Sequence, residues 1–116
     1  MGFSWQGASG QWFEFDVARA RRAWDDVGGI YMFVKPGDTP TMEAGGPISL
    51  FMGQTTSLAD SLAQNPRWEA SAALGAAEIH LMIEPDPAKR ARIFDDLAKA
   101  QKPVVNQMFQ SAGRGA

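Results

Sequence analysis

Aromatic and polar residues alternate at the start of the chain. Phe3 and Trp5 precede Gly7-Ala8-Ser9-Gly10, and Trp12, Phe13 and Phe15 follow, interleaved with Gln11, Glu14 and Asp16. Alternation on both sides of a Gly/Ser cluster predicts a β-hairpin. From Val17 to Asp25 the pattern changes. Val17, Ala20 and Trp24 share one stripe, which predicts a short helix over 17–25 ended by Gly28-Gly29. Ile30-Tyr31-Met32-Phe33-Val34 and Ile48-Ser49-Leu50-Phe51-Met52 read as strands, joined by a loop over 36–47 that carries three prolines and three glycines.

Ser57 predicts the N-cap of a helix to about Gln64, with Leu58 and Leu62 one turn apart. Pro66 opens a second helix, Arg67 to Leu74, and Gly75 lies just past its end. Ile79 to Ile83 reads as a third central strand. Asp86-Pro87 then starts the longest helix, over about 87–101, with Ile93, Phe94, Leu97 and Ala100 as its apolar stripe. Pro103 ends it. Val104-Val105 and Met108-Phe109 form an apolar tail, read as a short strand or a segment packed on the core, and the last five residues read as disordered.

This order predicts an α+β fold: a small, mostly antiparallel central sheet flanked by helices, with an N-terminal aromatic β-hairpin. The strands at about 29–35, 47–53 and 77–83 should share one sheet, with the 87–101 helix packed on it. A chain of 116 residues suits one domain. Residues 1–27 form the hairpin and short helix of that domain, 28–107 its core and 108–116 a tail.

Composition narrows the chemistry. With no cysteine, disulfides, cysteine–zinc sites and thiol catalysis are excluded. Eleven basic against thirteen acidic residues give a net charge of −2, so nucleic-acid binding needs a local basic patch. No run reaches the length of a membrane span, and Met1 to Gly7 has neither the basic nor the apolar region of a signal peptide. The expected location is the cytoplasm, with no membrane association.

Three short strings then fall in a telling order. Gly29-Ile30-Tyr31 opens one strand, and Phe51-Met52-Gly53 closes the next, followed by Gln54-Thr55 and a short helix. Lys102-Pro103-Val104-Val105-Asn106 follows the long helix. Over roughly residues 28–107 this resembles the GIY-YIG nuclease domain, and the Gly-Gln-Thr string and the stretch at 67–76 are similar to small stand-alone bacterial members. The resemblance implies single-metal phosphodiester hydrolysis in active members. There, the first tyrosine positions or activates water, and a glutamate holds a divalent cation. An arginine and the second tyrosine stabilise developing charge.

Carried over position by position, the first tyrosine is Tyr31 and the terminal asparagine is Asn106. The second tyrosine falls on Phe51. The helix arginine, eight residues after Gly53, falls on Ser61, and the histidine that often follows it falls on Asn65. The metal-binding glutamate, nine residues before Pro103, falls on Phe94. Phenylalanine cannot ligate a hard cation, and serine lacks a guanidinium's charge and fork. The resemblance therefore implies a degenerate, catalytically inactive member that binds nucleic acid or protein without a cofactor. Arg67, Arg92, Gln54 and Asn106 remain as binding residues. The alternative is a divergent nuclease in which Asp95 replaces the glutamate, with magnesium or manganese as its metal. On the inactive reading the rings of Phe51 and Phe94 are expected to fill the vacated metal pocket, whereas a polar, carboxylate-bearing cleft there would favour catalysis.

Other candidates have plainer readings. Glu78, His80, Met82 and Glu84 share one strand face, predicted as a half-solvated outer face rather than a metal site. Arg19, Arg21 and Arg22, and Lys89, Arg90 and Arg92, read as solvated helix faces rather than phosphate contacts. Trp24 and Trp68 suit the core. Both faces of the hairpin carry aromatic residues, so it either packs into the core or offers a surface to a protein partner or a second copy of the chain.

Overall fold

The computed structural model of the protein describes residues 2–19, 24–38 and 45–114, with side chains through Phe109. Strands β1 (Gly2–Gln6), β2 (Trp12–Ala18), β3 (Gly29–Lys35), β4 (Ile48–Thr55) and β5 (Glu78–Ile83) form one sheet in the order β1-β2-β5-β3-β4. Every neighbouring pair is antiparallel. The helices are α1 (Leu58–Ala63), α2 (Arg67–Ala73), α3 (Pro87–Gln101) and α4 (Val104–Arg114).

Strand alternation divides the core. Ile30, Met32 and Val34 of β3 point to one face, where they pack with Trp5, Phe13, Phe15 and Met52 under Ile93 and Leu97 of α3. Tyr31 and Phe33 point to the other face, covered by Leu58 and Leu62 of α1, Trp68 of α2, and Val105 and Phe109 of α4. The register of β3 against β4 shifts between Phe33, opposite Phe51, and Val34, opposite Ser49. Leu50 is the extra residue, and both Leu50 and Phe51 consequently join the Tyr31 side.

Local chemistry explains the helix ends. Ser57 caps α1 by accepting from the Asp60 amide, and Asp86 caps α3 by accepting from that of Ala88, with Pro87 in the first turn. Lys102 takes a left-handed conformation (φ 46°), donates to the Ala98 carbonyl and lets Pro103 turn the chain into α4.

Two expected elements differ. Val17 and Ala18 belong to β2, opposite His80 and Ile79, and Trp24 and Asp25 lie in no helix, so the described part of 17–25 is not helical. Val17 continues the inward alternation of Phe13 and Phe15, and pairing with β5 outweighs a weak helical stripe. Residues 20–23, and with them Arg21 and Arg22, lie outside the described residues, as does 39–44 of the predicted loop. The apolar tail packs on the core, the second of its two readings, and does so as helix α4 rather than a strand, with Val105 and Phe109, one turn apart, against the sheet.

Candidate functional site

Tyr31 is buried at 6% exposure in the middle of β3. A Cβ at position 53 would overlap its phenol, so glycine on the facing strand makes room for the ring. Asn65, in the short link between α1 and α2, donates from Nδ2 to the Tyr31 hydroxyl at 2.9 Å and to the Ser61 carbonyl at 3.0 Å. Its Oδ1 accepts from the Arg67 amide at 2.9 Å. Ser61 Oγ donates to Thr55 Oγ1 at 2.6 Å. Burial raises the Tyr31 pKa above 10, opposed by the Asn65 hydrogen bond and the nearby Arg67 charge. The phenol is therefore protonated at neutral pH and accepts the Asn65 hydrogen bond.

Phe51 stacks on Phe33 (centroids 5.7 Å, 28°) and tilts against Tyr31 at 6.1 Å. Phe94 lies elsewhere, on α3, packed against the cluster on the opposite face. The expectation of one ring-filled pocket built by Phe51 and Phe94 is thus corrected: the sheet separates them, because α3 covers the face to which Met32 and Met52 point. Asp95 points into solvent and pairs with Lys99 at 2.8 Å. Arg92 is exposed on the same helix, and Gln54 is exposed on β4. Arg67 lays its guanidinium 3.5 Å from the centre of the Phe109 ring. Asn106 turns onto the open side of β4, accepting from the Met52 amide at 2.8 Å and donating to the Met52 carbonyl at 2.7 Å. Of the residues singled out by the resemblance, Tyr31, Phe51, Ser61, Asn65 and Arg67 are thus neighbours. Phe94 and Asp95 stand apart from them.

Beside this group lies a small cleft. Phe33, Leu62, Trp68 and Ile79 form its apolar walls, with Arg19 and Asn65 at the rim. Trp68 meets Phe33 edge-to-face at 4.9 Å. A second depression continues past Trp68 along Gln64, Pro66 and Glu69. Its apolar lining, with Arg19 and Asn65 beside it, suits a small apolar or aromatic group next to a polar or anionic one. Trp68 packs against the core on this face, as its sequence pattern expects, whereas Arg19 is solvated but follows β2 instead of lying on a helix. The only local signal for the cleft was Asn65-Pro66-Arg67-Trp68, a polar turn followed by an aromatic residue.

The remaining candidates also find places. His80 is 1% exposed, which corrects the half-solvated reading: the diagonal reach of Trp5 and Phe3 from the hairpin covers it. Arg90 is buried too, donating to the Glu84 carbonyl at 3.0 Å, whereas Lys89 stays exposed beside Glu84. Phe3, Trp5, Phe13 and Phe15 turn inward, and Trp12 is the exposed ring of the hairpin at 56%. Among the described residues, no group of three His, Asp or Glu side chains is arranged to hold a metal ion, and no helix is long and apolar enough to cross a membrane. No family model and no curated protein matches this chain.

Proposed function

We propose that this chain is a GIY-YIG-like domain that binds single-stranded nucleic acid without cutting it. The observation that carries the reading is the small cleft lined by Trp68, Ile79 and Arg19, where the partly exposed Trp68 ring rests edge-on against the buried Phe33. Unstacked bases insert against aromatic side chains, and their phosphates pair with nearby cations. Catalysis has less support. The charge acting on the Tyr31 phenol is the Arg67 cation, while Asp95 is engaged with Lys99 in solvent. Because the whole chain carries −2, attraction is local and the affinity modest.

The test is fluorescence anisotropy with labelled single-stranded and duplex DNA and RNA at about 50 mM salt, where phosphate contacts are strongest. Single strands should bind best. Trp68→Ala should weaken them by about 1–3 kcal/mol, the worth of one stacked base. Arg19→Ala should weaken binding and flatten its salt dependence. Absence of binding to every oligonucleotide refutes the reading. Cleavage in magnesium or manganese that is lost in Tyr31→Phe or Asp95→Ala would establish the divergent nuclease instead.

A further inference from the structure

Four side chains form a hydrogen-bonded chain that joins strands β1 and β5 to the residue just after β2. Trp5 Nε1 of β1 donates to His80 Nδ1 of β5 at 3.0 Å. His80 Nε2 lies 3.1 Å from Glu78 Oε1, and Arg19 Nε, just after β2, donates to Glu78 Oε2 at 3.1 Å. The indole nitrogen is only a donor, so Nδ1 must be the accepting nitrogen and Nε2 must carry the proton given to Glu78. The imidazole is thereby held neutral, in one tautomer, with both nitrogens engaged.

We propose that His80 is a proton-operated latch on the N-terminal hairpin: neutral, it grips Trp5; protonated at Nδ1, it lets the indole go. A proton arriving from water occupies the lone pair that Trp5 uses, and two N–H groups then face each other. Glu78 keeps its bond to Nε2, so the loss falls on the β1 side alone. The charged groups around the ring are Glu78 on its own strand, Arg19 just after β2, and Asp38 after β3, all lining one cleft with His80. From β1 come the uncharged rings of Phe3 and Trp5, and from β3 the thioether-bearing Met32 opposite His80. That cleft, bordered by Phe3, Val17, Pro47 and Glu78, reaches His80 and gives water a route to it without unfolding the sheet. Burial lowers the His80 pKa below 6.5 and Glu78 works against it, so the latch is closed at neutral pH and opens on acidification below 6.5.

The hairpin has a second fastening with a different response. At its tip, Ser9 donates from its amide and hydroxyl to Asp96 of α3, at 2.8 and 2.6 Å. These bonds hold the Asp96 pKa below 3.8, so this fastening survives where the latch has opened. Acidification through the histidine range should free the Trp5 end while the tip stays docked.

The experiment is an NMR titration of the 15N-labelled full chain from pH 8 to 4.5. At pH 8 His80 should show a protonated Nε2 and an unprotonated Nδ1. The Trp5 indole N–H signal should then move with the His80 ring nitrogens at a single midpoint below 6.5, while the indoles of Trp12, Trp24 and Trp68 stay put. In His80→Gln, whose amide can accept from Trp5 and donate to Glu78 without titrating, the Trp5 signal should hold its position over the whole range. An Nδ1–H tautomer at pH 8 overturns the proposal. So does a Trp5 signal that ignores the His80 titration, or one that moves equally in His80→Gln. Should that variant fail to fold, the titration of the unaltered chain decides the matter.

Discussion

Asn106→Ala separates a structural asparagine from a ligand-binding one. The resemblance marks Asn106 as a site residue, yet its amide clasps the backbone of Met52 on the outer edge of the sheet, with bonds of 2.8 and 2.7 Å. Among the described residues no strand lies beyond β4, so those two backbone groups have no sheet partner there on that side. Each hydrogen bond contributes about 1 kcal/mol net, and a half-buried amide or carbonyl left without a partner adds to the loss. Truncation should therefore cost about 2–3 kcal/mol. In a domain of this size that lowers Tm by about 6–12 °C. Asn106→Asp should be as harmful, because a carboxylate accepts from the Met52 amide but repels its carbonyl. The assay is urea unfolding followed by tryptophan fluorescence, with the slope m compared across variants to check that the denatured state is unchanged. A loss below about 0.5 kcal/mol, the scatter of ordinary surface substitutions, would refute the clasp and return Asn106 to the ligand-binding set.

Gly53→Ala should destabilise the fold by about 1–3 kcal/mol, since the new Cβ meets the buried Tyr31 phenol, and pairing it with Tyr31→Phe should recover part of the loss in the same unfolding assay. Phe94→Glu should also destabilise, by about 1–3 kcal/mol, because a carboxylate would replace a ring packed beside Met52 and Leu97. Manganese should not restore its Tm, since the position faces away from Tyr31. Stability should depend on pH in a defined direction. His80 has a lowered pKa, so below 6.5 the unfolded chain takes up a proton that the folded chain resists, and stability falls from there down to the folded pKa. A second decline should begin near the ordinary carboxylate value of 3.8, as Asp96 loses the bonds from Ser9. Flat stability between pH 7.5 and 5, measured as urea midpoints, would contradict the first decline.

The sequence alone determined the strands and most helix boundaries, because those depend on short-range physics. Short apolar runs bounded by Gly and Pro mark β3, β4 and β5, and Ser57, Asp86-Pro87 and Gly75 punctuate the helices through local capping chemistry. It also carried the neighbourhood of Tyr31, Phe51 and Ser61, which sit on strands and a helix joined by short links. Only the tertiary structure decided the rest. Whether Phe94 faces Tyr31 depends on which side of the sheet α3 covers, and no local pattern encodes that choice. The bulge at Leu50 is invisible until β4 is laid against β3. Val17 is a strand residue because β5 pairs with it across more than sixty positions of sequence. His80 alternates with polar neighbours and so reads as half-solvated, but an indole seventy-five residues away covers it and fixes its proton. The same distance rule explains Arg19: nothing beside it in the chain foretold that Glu78 would hold it at the mouth of the Trp68 cleft. Local sequence specifies elements through contacts a few residues apart; burial, charge and protonation are set by partners that only folding brings together.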